Sequence, residues 1–101
     1  FDPTLGAEIQ KTRPVLIDSN DINNVPSPIV SISPITSNVT RVYSFEVEIP
    51  AGMGGLKIRS KIMVHQTRAV DKIRLIKRLG QLTPSIMTEV DQALKIHYDL
   101  E

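Results

Sequence analysis

The pair Arg13-Pro14 constrains this chain of 101 residues at its strongest point. A proline pushes the residue before it into extended backbone and cannot continue a helix. It is tolerated as the first residue of a strand. Val15-Leu16-Ile17-Asp18 follow, so residues 14–18 read as a short buried strand. Arg13 then stands on stiff backbone at the strand mouth, preceded by a polar stretch that begins at Gly6 and reads as a loop to Thr12.

The rest of the chain shows the same short periodicity. Ser19-Asn20-Asp21 and Asn23-Asn24 are turn formers. Residues 28–33 predict a second strand, with Ile29, Ser31 and Ser33 on one face and Val30 and Ile32 on the other. Pro34 to Asn38 form a polar mouth after it. Residues 43–49 alternate strictly, predicting a strand with Tyr43, Phe45, Val47 and Ile49 inward and Ser44, Glu46 and Glu48 outward. Pro50 to Gly55 make a loop flexible at its three glycines. Residues 61–66 predict a further strand, 70–75 one helical turn, and 76–82 a last strand.

Only one stretch has helical spacing. Thr83 is a natural N-cap and Pro84 a natural first helical residue. Ile86, Met87, Val90, Ala93, Leu94 and His97 then recur on one face. Ile86 stands where a capping box would place Glu, so the cap is partial. Several short strands with one terminal helix give a mainly β domain with α, a small bent sheet or open barrel with the helix laid on it. The whole chain, 1–101, reads as one domain.

Composition narrows the function classes. With 41% apolar residues but 4% aromatic, the core must be built of Val, Ile and Leu. A net charge of +1 excludes a polybasic tail, so any RNA site needs local clustering of basic residues. There is no cysteine, which excludes disulfides and thiolate metal sites and fits a reducing compartment. No apolar run reaches the roughly 18 residues of a membrane span. Gly52, Gly54 and Gly55 lack the spacing and the Lys-Ser/Thr of a phosphate-binding loop. His65 and His97 lack ligand spacing, so no metal site is expected. What remains is a set of polar residues at strand mouths: Glu8, Arg13, Thr36, Ser37, Asn38, Gln66 and Arg68. Taken singly each is a turn or surface residue, and their spacing names no reaction.

The stretch DPTLGAEIQKTRPVLIDSND resembles the opening of the MazF/PemK/Kid toxins, which are ribosome-independent mRNA interferases. Their pattern D-P-x-x-G-x-E-x-x-x-x-R-P-V-L matches Asp2-Pro3, Gly6, Glu8 and Arg13-Pro14-Val15-Leu16. PITSN at 34–38 is similar to a second family motif and VHQTRAVDKIRL at 64–75 to a third. The tail MTEVDQALKIHYDL resembles the family's C-terminal helix. The chain departs from the pattern in four places. Family members carry about a strand's length of chain before the Asp-Pro pair, where this sequence has Phe1 alone, so an N-terminal strand is expected to be missing or truncated. Asp18 and Ile9 replace a common apolar residue and a frequent Gln, and His65 stands where the family varies. A carboxylate at Asp18 is costly unless paired.

The resemblance implies an SH3-like open barrel with a C-terminal helix, forming a cytoplasmic homodimer without a cofactor. It implies cleavage of single-stranded RNA without metal, the RNA's own 2′-hydroxyl attacking the adjacent phosphate. By this resemblance Arg13 and Thr36 are catalytic, Arg13 holding phosphate oxygens in a fork. Glu8 is the candidate base, with His65 the alternative. Ser37, Asn38, His65, Gln66 and Arg68 would contact RNA, with Lys57, Arg59 and Lys61 supplying field. The loop from Gly6 to Thr12 would flank the RNA. The expected partner is an antitoxin with a disordered acidic tail. An inactive relative that binds only RNA or antitoxin, and a gyrase poison on the same fold, are the alternatives. The pairing of Arg13 with Thr36 favours RNA.

Overall fold

In the computed structural model, β2 (Arg13–Ile17) begins at the expected mouth and carries Val15, Leu16 and Ile17 with almost no exposed surface. The structure describes residues 5–9, 13–18 and 28–99, with backbone alone for 5–9 and 98–99. The turn formers at 19–24 lie outside the described residues. β1 (Leu5–Ile9) pairs antiparallel with β2, Glu8 opposite Pro14 and Ile9 opposite Arg13. Residues 6–9, expected as loop, are therefore ladder backbone. Their hydrogen bonding comes from the partner strand, which local composition does not report.

β3 (Ile29–Thr36) is the spine. It runs past the expected polar mouth, through Pro34, to Thr36. One edge pairs with β2, placing Val15 opposite Pro34 and Ile17 opposite Ile32. β5 (Ser60–Ile62) pairs with Ile35 and Thr36, and β6 (Arg68–Asp71) with Ile29 to Ile32. Five residues separate Ile62 from Arg68 but only two separate Ile32 from Ile35, so three extra residues bulge out between β5 and β6. They form a 3₁₀ turn over Val64–Gln66. Pro34 sits at this break, where a missing N–H is tolerated, and its carbonyl accepts from Met63 N at 2.8 Å. The strand expected over 61–66 thus ends at Ile62, and β6 was not anticipated. A second 3₁₀ turn, Lys72–Arg74, falls within the expected helical turn.

The largest departure is at 43–49. Only Val47–Ile49 form a strand, β4, paired with β5. Residues 43–46 close a turn, with Glu46 N donating to Tyr43 O at 2.9 Å. Tyr43 N donates to Glu46 Oε1 at 2.9 Å, and Lys61 Nζ reaches the same oxygen at 2.9 Å. Lys61 Nζ also donates to Arg41 O at 2.7 Å. The Glu46 and Lys61 side chains are 3% and 11% exposed. Glu46, expected outside, is inside, and Tyr43 and Phe45, expected inside, are 45% and 37% exposed. Val47 and Ile49 are buried as the alternation predicts.

The expected strand over 76–82 is an irregular segment that buries Leu82 and half-buries Leu79. It crosses the 50–55 loop at backbone contact. A Cβ on Gly55, where φ is +81°, would lie 2.3 Å from Leu79 O, and one on Gly80 would lie 2.5 Å from Gly54 C. The glycines of the loop all have positive φ, so they shape a fixed turn.

α1 (Pro84–Asp99) starts as predicted, with Thr83 Oγ1 accepting from Ile86 N at 3.3 Å. Ile86, Val90 and Ala93 are buried, Met87, Leu94 and His97 half-buried. Their face packs over Leu16, Ile35, Val47, Ile49, Ile62 and Val64. A second cluster of Val15, Ile17, Val30, Ile32 and Val70 lies on the opposite face of the β2–β3–β6 sheet. Each fully buried Leu, Ile or Val contributes about 1.5–3 kcal/mol. Among the described residues, no helix is long and apolar enough to cross a membrane.

Asp18, just past β2, is held by the Ser33 hydroxyl. Ser33 Oγ, fully buried, lies 3.0 and 2.9 Å from its two carboxylate oxygens. Ser33 Oγ lies 2.7 Å from Thr67 Oγ1, and Thr67 Oγ1 donates to Val64 O at 2.7 Å. Each hydroxyl has one proton. Thr67 spends its proton on Val64. With Asp18 ionised, the single Ser33 proton must serve either the carboxylate or Thr67. With Asp18 protonated, a chain of donors runs unbroken from Asp18 through Ser33 and Thr67 to Val64 O. Burial pushes the Asp18 carboxyl up to about 7, against the opposing Ser33 hydrogen bond and with the help of the Asp91 charge.

The folded pKa of Asp18 lies above its unfolded value, so the folded state binds the extra proton between about pH 4 and pH 7. Stability from this group therefore falls as pH rises through that window and stays low above it. Asp18→Asn, whose amide can donate to Ser33, should flatten the dependence. Thermal melts from pH 5 to 8.5 should show the variant gaining on the parent as pH rises, and parallel curves would refute the assignment. Lys61→Met, which leaves the buried Glu46 carboxylate unpaired, should cost about 3–5 kcal/mol at pH 7 in urea unfolding. Burial raises the Glu46 pKa, but hydrogen bonds from Tyr43 and Lys61 and the Lys61 charge outweigh it, and the net shift is downward. Its contribution is thus present above the ordinary carboxylate range and lost as pH falls below it, so the Lys61→Met penalty should shrink at pH 4.

Candidate active site

The β2–β3 ladder sets the site. Its register pairs Val15 with Pro34 and Ile17 with Ile32, and just past its end Arg13 and Thr36 line the same two hollows. Residues directly opposite on antiparallel strands share a face. Arg68 is opposite Ile32 on the other edge of β3, so it shares the face of Ile32. The three side chains converge without any being close in sequence.

A cleft of about 270 Å³ opens there, lined by Arg13, Pro14, Pro34, Thr36, Met63, Gln66 and Arg68 among others. A second hollow of about 330 Å³ adjoins it, lined by Arg13, Thr36, Ser37, Leu56, Lys57 and Ser60 among others. Arg13, Pro14, Ile35 and Thr36 line both, so the Arg13–Thr36 pair forms the ridge between two open hollows. Arg13 is exposed and Thr36 half-buried. Thr36 Oγ1 accepts from Asn38 N at 3.2 Å, which leaves its own proton free to donate into the cleft. Asn38 Oδ1 accepts from Thr40 N at 3.3 Å, so the 36–40 corner is a pair of side-chain-closed turns.

The 3₁₀ bulge delivers the third motif. Gln66 N donates to Met63 O at 3.0 Å, and Thr67 closes the turn on Val64 O. This sets Gln66 in the cleft wall. His65 does not line either hollow; its ring meets Phe45 edge to face at 4.7 Å, and its Nε2 lies 3.4 Å from Gln66 Nε2. Glu8 has its backbone opposite Pro14, one residue from Arg13 in the ladder, and its side chain lies outside the described residues.

The expected field changes owners. Lys61 is buried on Glu46 and Arg59 is paired with Glu48, so neither is a loose cation. Positive charge along the hollows comes from Arg13, Lys57 and Arg68. Among the described residues, no group of three His, Cys, Asp or Glu could hold a metal ion. Sequence reasoning missed Met63 and Pro34 as cleft walls and turned Tyr43 and Phe45 inward. Met63 shows no sequence signal, because a bulge creates its position, and Pro34 stands in the second motif but becomes a wall only through the ladder break.

Such an arrangement can hold a phosphate between a fork of guanidinium donors and a hydroxyl, with strand continuing into hollows on either side. The chain matches, over residues 1–98, the family of PemK-like, MazF-like toxins of type II toxin–antitoxin systems. It is 33% identical to endoribonuclease MazF9 of Mycobacterium tuberculosis, covering 99% of this chain and 89% of that protein. It is 37% identical to endoribonuclease EndoA of Bacillus subtilis, covering 95% of this chain and 84% of the relative. Among solved structures, the Mycobacterium tuberculosis toxin MazF-mt6 superposes with a TM-score of 0.81 at 27% identity, covering 98% of both chains. A MazE–MazF complex from Deinococcus radiodurans, at 22% identity, shares the fold with a TM-score of 0.80. With its sequence matched nearly end to end and its β-rich fold reproduced in solved relatives, the chain belongs to the PemK-like, MazF-like family of type II toxin–antitoxin toxins.

Proposed function

We propose that this toxin is an endoribonuclease that cuts single-stranded RNA without a metal cofactor. The observation that carries the proposal is that Arg13 and Thr36 together line both hollows at the end of the β2–β3 ladder. The 2′-oxygen of one nucleotide forms a bond to the adjacent phosphorus, and the bond from phosphorus to the 5′-oxygen breaks. The products are a 2′,3′-cyclic phosphate and a 5′-hydroxyl. Arg13 holds two phosphate oxygens and meets the charge that grows on them, and it donates to the leaving 5′-oxygen. Thr36 donates its free proton to a phosphate oxygen. Glu8 takes the 2′-hydroxyl proton. The His65 ring, turned to Phe45, is less well disposed for that task. Gln66 and Arg68 line the cleft within reach of base edges and phosphate, and Ser37 on the adjoining hollow, with Asn38 in the turn beside it, serves the strand at the far corner.

The acting unit is a homodimer, and the restraining partner is an antitoxin. Several solved relatives are toxin–antitoxin complexes, and the cationic hollows suit an acidic disordered tail.

The test is cleavage of a single-stranded RNA pool in excess EDTA, with both new ends mapped. The parent should cut at one short motif and leave cyclic phosphate. Arg13→Ala and Thr36→Ala should each lose about 10²–10³-fold in rate, the loss typical of one transition-state donor. Cutting that EDTA abolishes, or a folded parent that cuts no RNA, would refute the proposal.

A further inference from the structure

Tyr43 and Phe45 are the aromatic side chains among the described residues, and both stand on the surface. Tyr43 and Phe45 are stacked with centroids 5.3 Å apart and planes within 3°. The turn that carries them is not loose. It is closed by Glu46, whose backbone N–H bonds Tyr43 O and whose carboxylate accepts from Tyr43 N. That carboxylate is neutralised by the buried Lys61, which also ties down Arg41 O. A buried ion pair thus holds two rings outside a core that is short of aromatic residues.

The ring pair is continuous with the cleft. Phe45 meets the His65 ring at 4.7 Å, His65 Nε2 lies 3.4 Å from Gln66 Nε2, and Gln66 lines the cleft beside Arg13 and Thr36. Among the described residues Arg41 is the free cation over the Tyr43 ring, and Lys61, already paired with Glu46, lies beneath the turn over the same ring. Arg41 donates to the Tyr43 hydroxyl at 3.1 Å with its guanidinium carbon 5.6 Å from the ring centre, and Lys61 Nζ lies 5.8 Å from the same centre. Flat, preorganised π-faces flanked by positive charge are the arrangement that holds unpaired bases of a single strand.

We propose that the Tyr43–Phe45 pair is a stacking platform for an unpaired base of the RNA strand that runs past Arg13 and Thr36. The inference rests on the ribonuclease reading above and adds to it where a base outside the cleft is seated. His65, set between platform and cleft, links the two. Arg41 sits where it can meet the phosphate of the stacked nucleotide.

The test compares the parent with Tyr43→Leu, Phe45→Leu and the double variant, which keep apolar bulk and remove the ring faces. The probes are short 2′-O-methyl RNA strands, in which the attacking hydroxyl is blocked, and the same strands with an abasic residue at each position in turn. Thermal melts check folding, and sedimentation velocity checks association. The parent should bind, the double variant should bind about tenfold or more weakly, and one abasic position should weaken the parent but not the double variant. Equal binding and cutting by parent and leucine variants would overturn the platform and leave the ribonuclease reading intact. Unchanged RNA affinity with loss of self-association would also overturn it, by assigning the rings to a second copy of the chain. A parent that neither binds nor cuts any RNA would overturn both.

Discussion

Ile17 faces Ile32 across β2 and β3, both without exposed surface, and that register governs the rest of the molecule. The same ladder buries Val15 and Ile17 on one side and Leu16 on the other, beneath α1. At its end Arg13 and Thr36 come to line the same two hollows. A slip of one residue would exchange the two buried faces, sending Leu16 into the cluster built for Val15 and Ile17, and part the two polar residues. The burial of branched aliphatics therefore positions the site. Arg13 and Thr36 need no contact of their own to be held together.

Two buried polar networks then shape the rim. Asp18, Ser33 and Thr67 tie the end of β2 through β3 to the bulged turn that presents Gln66. Glu46 and Lys61 tie the 43–46 turn to β5. In each, a carboxylate has been taken from water and must be matched by donors. Unlike apolar contacts, such networks tolerate few alternative geometries, so they fix where a loop lies. The first has one proton too few when Asp18 is charged, which links the bulged turn to the protonation of a residue that makes no contact with the cleft.

Much of this was legible from residue order. Arg13-Pro14 announced the head of β2, Thr83-Pro84 the start of α1, and the spacing of Ile86, Val90 and Ala93 its buried face. The 43–49 alternation misled at Tyr43 and Phe45, although it held for Val47 and Ile49. Period-two patterning assumes that the chain stays extended, and a turn at Glu46 resets the phase. The decisive partner is Lys61, distant in sequence, and no local window contains it. The bulge at 64–66 was hidden for a similar reason. It exists only as a mismatch in length between two ladders that meet on β3.

The sequence by itself determined the element types wherever a local rule was strong: proline before a buried run, a capped helix with one apolar face, glycines at a tight loop. By resemblance it also named the residues on which the chemistry is proposed to depend. Only the tertiary structure decided which of them meet. Arg13, Thr36, Gln66 and Arg68 come together through strand register and a three-residue bulge, while Lys61 and Arg59 are withdrawn into ion pairs. It also turned two aromatic rings outward beside His65. The physical reason is range. Helix caps and proline geometry act over a few bonds, whereas register, burial and ion pairing are set by partners far along the chain.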